Sequence, residues 1–369
     1  MRRHNFWPDP QQELLLIAAL GDGDAAARAW RAWHSRMNLE AADRGSLRLM
    51  PLVYFNLKRI GLNDPSMAPL KERYIRTRYA NRDLLERLAR LLLLFESRKI
   101  PTLVLKGAAL GPLLYRDPGL RPMGDLDVAV PHSRAQQAVD LLLENGWTFP
   151  KMPLRVETRP SSVASLNFYA PDGVPCDLHF SPFAESLSWE AVEPFWSAAI
   201  PLDIGGVTTL TLSPTDHLLH TLAHGARVNP ISPIRWVADA MWLLRGPTPI
   251  AWERFVAQAA SLRLTLVAAR TLAYLRDRHG AMVPPSVWNA MRRRAGALES
   301  LEYCVRRGLS PQRAEPLLWA WSRYVRDNRH LGLPALIGGF PFYLQEQWSA
   351  RTLRETAWIG LRKLPFLPR

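Results

Sequence analysis

Cysteine is nearly absent: the 369 residues contain two, Cys176 and Cys304. Two distant thiols, neither in a CxxC pair, exclude a disulfide scaffold and make structural zinc a poor fit. Lysine is scarce as well, six against 41 arginines, which draws notice to each lysine that remains. Long apolar runs are also missing. Residues 14–20 and 91–95 are unbroken apolar stretches, far short of the roughly 20 residues a membrane span needs. Asp9 and Glu13 precede the first stretch and no small-residue cleavage site follows, so no signal peptide is expected. These absences predict a reduced, cytoplasmic setting. No internal repeat or low-complexity block is present.

What is there is the composition of a folded chain. Hydrophobic residues make up 48% and charged residues 22%, which excludes wholesale disorder. The length predicts two or three packed units. The net charge is +14, from 47 basic and 33 acidic residues. Residues 261–369 hold 18 Arg/Lys against 7 Asp/Glu, leaving 29 against 26 in residues 1–260. The excess therefore lies in the last third, where a polyanionic partner would have to bind.

The periodicity divides the chain into three. Residues 1–90 read as helices, with apolar positions such as Leu14, Ile17, Leu20 and later Leu84, Leu85, Leu88, Leu91, Leu92 at helical spacing. Pro51, Pro65 and Pro69 interrupt that pattern. Residues 91–212 read as a mixed α/β unit. Thr102 to Leu105 suits a buried strand, Asp125 to Val130 a second, and Ser133 an N-cap for a helix ending at Gly146. A Pro171-Asp172-Gly173 turn joins two further strands, residues 165–170 and 174–180. From Ser213, an N-cap followed by Pro214, residues 213–369 are helical again and strongly basic.

The chemistry gathers in the middle unit. Asp125 and Asp127 lie two apart on the second strand, so their carboxylates share a face. Two acids in an apolar strand are costly unless paired or metal-bound, and oxygen ligands so spaced suit Mg²⁺ with substrate phosphates. Asp177, on another strand, shares a face with His179. A third carboxylate from a neighbouring strand completes a two-metal site for in-line displacement. Lys106-Gly107 stands where a strand turns into a helix, a place that favours phosphate.

The run Leu103-Val104-Leu105-Lys106-Gly107-Ala108-Ala109-Leu110, then Leu114-Tyr115, Arg121-Pro122-Met123-Gly124-Asp125-Leu126-Asp127 and Cys176-Asp177-Leu178-His179 resembles a bacterial family of nucleotidyltransferases. That family looks like a branch of the DNA polymerase β-type nucleotidyltransferase superfamily. The segments His224-Gly225-Ala226-Arg227 and Arg235-Trp236-Val237-Ala238-Asp239 are similar to its helical part. The resemblance implies an α/β fold: a polymerase β-like core, a mixed sheet with flanking helices, between helical N-terminal and C-terminal regions. It also implies transfer of an NMP group from an NTP such as ATP to a hydroxyl-bearing acceptor (a small molecule, peptide, protein or tRNA), with release of pyrophosphate. Asp125, Asp127 and Asp177 would be catalytic and hold two Mg²⁺ ions. Lys106, Gly107, Arg121, His179 and His224 would face the nucleotide. Where the superfamily has a Gly-Ser or Gly-Gly pair, this chain has Lys106-Gly107-Ala108. That departure keeps open a non-catalytic nucleotide-binding or adaptor protein; a further alternative keeps the site and is a phosphotransferase using the same carboxylates.

Other residues invite plainer readings. Arg121 faces phosphate or pairs with Asp117 or Asp125. His179 is a ligand, a partner to one, or a hydrogen-bonded structural histidine. His217, His220 and His224 recur at i, i+3 and i+7, but zinc would want a denser set. Asp239 invites Arg235, one turn earlier, as its partner. The basic end mixes Arg with Trp348, Trp358, Phe340, Phe342 and Phe366. It reads as a solvated arginine-rich face with its aromatics packed inward, a membrane-surface or protein contact, or a nucleic-acid surface.

Overall fold

The computed structural model describes residues 6–37, 39–148, 164–186, 188–227, 231–296, 299–300, 302–303, 317–328, 331–348 and 350–363. Cys304 and Phe366, singled out above, lie outside them.

A six-stranded mixed sheet forms the centre. Its strands are β1 (Leu103–Val104), β2 (Leu126–Ala129), β3 (Ser165–Tyr169), β4 (Pro175–His179), β5 (Ile200–Ile204) and β6 (Val207–Thr211). They run in the spatial order β3-β4-β2-β1-β6-β5. The β2–β4 and β1–β6 pairs are parallel, and β1–β2, β3–β4 and β5–β6 are antiparallel. This is the mixed sheet with flanking helices that the sequence predicts. β2 is buried at all four positions, as a strand covered on both faces must be.

Side-chain alternation sorts the two faces. Val104, Val128, Cys176 and Leu178 join a cluster with Leu88, Leu91, Leu92 and Phe95 of the long helix α5 (Ala68–Ser97), and with α7 (Ala135–Glu144). Leu103, Leu105 and Ala129 turn the other way, into a larger core. There they meet the N-terminal helices α1 (Pro10–Leu20), α2 (Gly23–His34) and α4 (Met50–Arg59). The same core takes in α9 (Pro214–Gly225), α10 (Arg235–Arg245), α11 (Trp252–Ser261) and α12 (Thr265–His279). Both helical regions therefore share one apolar interior. Trp236 Nε1 donates to the Phe6 carbonyl at 3.3 Å, and the Tyr274 hydroxyl reaches Glu13.

Helices α3 (Arg44–Leu47), α6 (Lys106–Leu110) and α8 (Trp189–Ser197) fill the intervals between these elements along the chain. Several local expectations need adjusting. The second strand starts at Leu126, one residue later than the pattern suggests, so Asp125 precedes it. Ser133 does not cap α7: a 3-10 turn, His132–Arg134, comes first and the cap position falls to Arg134. Ser213 does cap α9, accepting from the Asp216 amide, with Pro214 in the first turn. No helix among the described residues is long and apolar enough to cross a membrane.

Candidate active site

The register of two parallel strands brings the acids together. Asp127 on β2 stands beside Asp177 on β4, and Ala129 beside His179. All four point away from the α5 side of the sheet, by alternation against Val128 and Leu178. One oxygen of Asp127, one of Asp177 and one ring nitrogen of His179 lie within 4.8 Å of one another.

Lys106 enters this group from the end of β1. Its ammonium donates to Asp127 Oδ1 at 2.6 Å and lies 3.9 Å from Asp177 Oδ2. His179 Nε2 is 3.0 Å from the same Asp127 oxygen. The Lys106 backbone takes φ +48°, a left-handed conformation that costs a non-glycine residue free energy. The ion pair with Asp127 offsets that strain. Burial alone pushes the Asp127 carboxyl up. The Lys106 charge and the His179 hydrogen bond outweigh it and hold the carboxyl well below the usual range. Asp177 moves the opposite way, raised by burial and by the Asp127 charge beside it. Two acids one strand apart are thus driven to different proton affinities.

Asp125 stands outside this tight group. It is exposed and lines the same cleft, of about 400 Å³, as Lys106, Gly107, Asp127 and Asp177. Arg48, Arg121, Arg235 and His224 line it too. The helical C-terminal region thus supplies one wall of the cleft. His220 and His224 are both pushed well below their ordinary value by burial, then by neighbouring positive charge, and are neutral near pH 7.

Arg121 pairs with neither Asp117 nor Asp125. It closes on Asp239, with Nε and Nη2 each donating at 2.8 Å. Asp239 likewise departs from the expectation: its partners are Arg121 and the Tyr115 hydroxyl, and not Arg235. A one-turn rule sees only neighbours on one helix, whereas the fold delivers Arg121 from a loop 118 positions away. Arg235 instead donates to the Pro122 carbonyl. Burial and the Arg121 charge lower its guanidinium to about 9. Asp117 accepts from the Tyr74 hydroxyl at 2.7 Å.

The loop carrying Arg121 and Asp125 is further fixed by Asn81 of α5. Its amide donates to the carbonyls of Pro118 and Arg121, at 2.6 and 2.8 Å, and its oxygen accepts from the Met123 amide at 3.1 Å. The sequence does not single out Asn81, whose only signal there is a polar side chain among helix-forming residues. A β-carbon on Gly107 would collide with the Arg121 guanidinium and touch Met123. Glycine at 107 is therefore required by close approach of a side chain.

Comparison with known proteins can now be set beside this geometry. A family described as uncharacterised nucleotidyltransferase matches residues 44–280. No curated protein matches the chain. Among solved structures, an antigenic nucleotidyltransferase-like protein from Paracoccidioides brasiliensis is similar at 17% identity, covering 57% of this chain and 92% of its own, with a TM-score of 0.37. The family match spans well over half of the chain and includes every residue of the cleft from Arg48 to Asp239, so this protein belongs to that family of uncharacterised nucleotidyltransferases.

Proposed function

We propose that this protein is a metal-dependent nucleotidyltransferase that moves an NMP group from an NTP to a hydroxyl-bearing acceptor. The observation that carries the reading is the pairing of Asp127 with Asp177 across adjacent parallel strands, at the floor of a cleft lined by arginines. Two carboxylates with an imidazole in reach make a donor set that fits a divalent cation, and hard oxygen donors favour Mg²⁺. When bound, one or two such ions supply charge neutralisation at the phosphates and align the entering and leaving oxygens.

The chain's own residues do the rest. Asp127 and Asp177, with Asp125 on the same cleft, hold the metal. Asp177, whose proton affinity is raised by burial and by the Asp127 charge beside it on the neighbouring strand, takes the proton of the attacking hydroxyl. That oxygen bonds to the α-phosphorus as the bond from the α-phosphorus to the bridging oxygen breaks, and pyrophosphate leaves. Lys106, Arg48 and Arg235 bring positive charge to the triphosphate. Arg121 is fixed by Asp239 as a wall beside Gly107. His179 orients Asp127, and His224 presents a neutral ring to the nucleotide or acceptor.

A second reading has one observation in its favour. The Lys106 ammonium already sits on Asp127, which suits a protein that binds a nucleotide without turning it over. NTP labelled separately at the α- and γ-phosphates decides the matter, with Mg²⁺ present and candidate acceptors supplied. Transfer of the α-label, abolished in a folded Asp127→Asn variant, supports the proposal. Transfer of the γ-label would make the protein a phosphotransferase. Binding by calorimetry with neither label transferred leaves the non-catalytic reading.

A further inference from the structure

The cleft does not account for the end of the chain. The helix Leu333–Gln347 packs one side on the helix Leu317–Asp327, where Phe340 and Tyr343 join an aromatic cluster with Trp321 and Tyr324. Gly339 belongs to this inner side, since a β-carbon there would collide with the Tyr324 hydroxyl. The outer side of the same helix carries Leu333, Pro334, Ala335, Ile337, Gly338, Pro341 and Phe342, all exposed. Leu333 is 66%, Ile337 59% and Phe342 57% exposed. No charged residue occurs in residues 331–345; the first is Glu346. The following helix, Leu353–Lys363, exposes Leu353, Trp358 and Leu361 beside Arg354. The aromatics at this end are therefore only partly packed inward.

A solvent-facing helix ordinarily shows charge on its outer side, and one that is apolar all round belongs in a protein core or in lipid. At 15 residues the first helix is too short to cross a bilayer, so the only lipid position open to it is the interface. Charge selects the kind of surface. Residues 331–369 carry five Arg/Lys against two Glu, within a last third of net +11. Like charge opposes a second copy on this face. A nucleic acid would engage only Arg351 and Arg354 and leave the apolar outer side uncovered.

We infer that the helices Leu333–Gln347 and Leu353–Lys363 form a docking surface for an anionic lipid bilayer, with the apolar outer side entering the headgroup region and Arg351 and Arg354 meeting lipid phosphates. The inference does not depend on the reaction proposed above. The full-length chain is floated with vesicles of phosphatidylcholine containing phosphatidylglycerol, and with vesicles of phosphatidylcholine alone. It should rise with the anionic vesicles and stay behind with the neutral ones, and high salt should release it. Ile337→Glu with Phe342→Glu, and separately Arg351→Glu with Arg354→Glu, should each weaken binding at least about tenfold while leaving circular dichroism unchanged. Equal recovery with both vesicle types, or none with either, overturns the inference even if a variant fails to fold. So does binding that neither folded variant weakens. A dimer in light scattering that Ile337→Glu dissolves, without lipid binding by the wild type, would assign this face to a second copy instead.

Discussion

Arg121 and Asp239 meet through two hydrogen bonds of 2.8 Å across 118 positions of sequence, and both side chains are almost completely buried. Burial disfavours both charges. The Asp239 charge nevertheless raises the proton affinity of Arg121, and the Arg121 charge lowers that of Asp239.

Asp239→Asn therefore leaves an uncompensated buried guanidinium. The expected loss is about 3–5 kcal/mol of unfolding free energy in urea titration. Replacing both partners, Arg121→Met with Asp239→Leu, should recover most of it, because a buried pair is worth little more than apolar residues of like volume. A single variant within about 0.5 kcal/mol of wild type would show that the pair is not structural.

Lys106→Met removes the ammonium from between Asp127 and Asp177. With Lys106 one-fifth exposed and Asp127 nearly sealed, a loss of about 2 kcal/mol is expected without metal. Mg²⁺ should then raise the melting temperature more for the variant than for the wild type, since binding to the folded state alone stabilises it. Equal Mg²⁺ shifts in the two proteins would contradict this.

Gly107→Ala places a methyl group where the Arg121 guanidinium lies, with the Met123 Cγ 3.0 Å away. Overpacking of this kind costs about 1–3 kcal/mol. Because the displaced group walls the cleft, NTP affinity should fall in the same variant. Calorimetry showing wild-type affinity with lowered stability would separate Gly107 from the nucleotide.

His217 gives the protein an acid limit. Thr211 spends its hydroxyl proton on the Val104 carbonyl at 2.8 Å, so His217 Nε2–H donates to Thr211 Oγ1, also at 2.8 Å. Its Nδ1, the site of any second proton, has no hydrogen-bond partner among the described residues. Burial, then the Arg121 charge, lowers its pKa to about 3. The unfolded chain binds that proton near pH 6.5, so the unfolded state holds more protons between the two values. Stability from this group is complete above about pH 6.5 and declines by about 1.4 kcal/mol per pH unit on the way down to about pH 3. His217→Gln should flatten that limb in urea titrations run across the range. An unchanged slope would rule His217 out.

The parts of the site legible in the sequence were those governed by short-range rules. Alternation along a strand put Asp177 and His179 on one side, and a Pro-Asp-Gly turn joined β3 to β4 as expected. What escaped was set by packing. β2 begins after Asp125 because Leu126 is the first side chain of the strand to find the core. Arg121 reaches Asp239 from a loop 118 positions away, while Arg235 turns to the Pro122 carbonyl. Asn81 holds the same loop from a helix 40 positions away, a distance at which no local pattern speaks.

The common apolar interior of the two helical regions also bears on synthesis. Phe6 waits for Trp236, 230 residues later, and Glu13 for Tyr274, 261 residues later. A ribosome releases the N-terminal helices long before these partners exist, leaving Leu15, Leu16, Trp30 and Trp33 to be covered by one another and by α4 alone. Exposed apolar surface of that kind on a nascent chain is what holding chaperones recognise. The wall of the cleft formed by Arg121 can be locked only after Asp239 has emerged, so the protein completes this cleft late in its own translation.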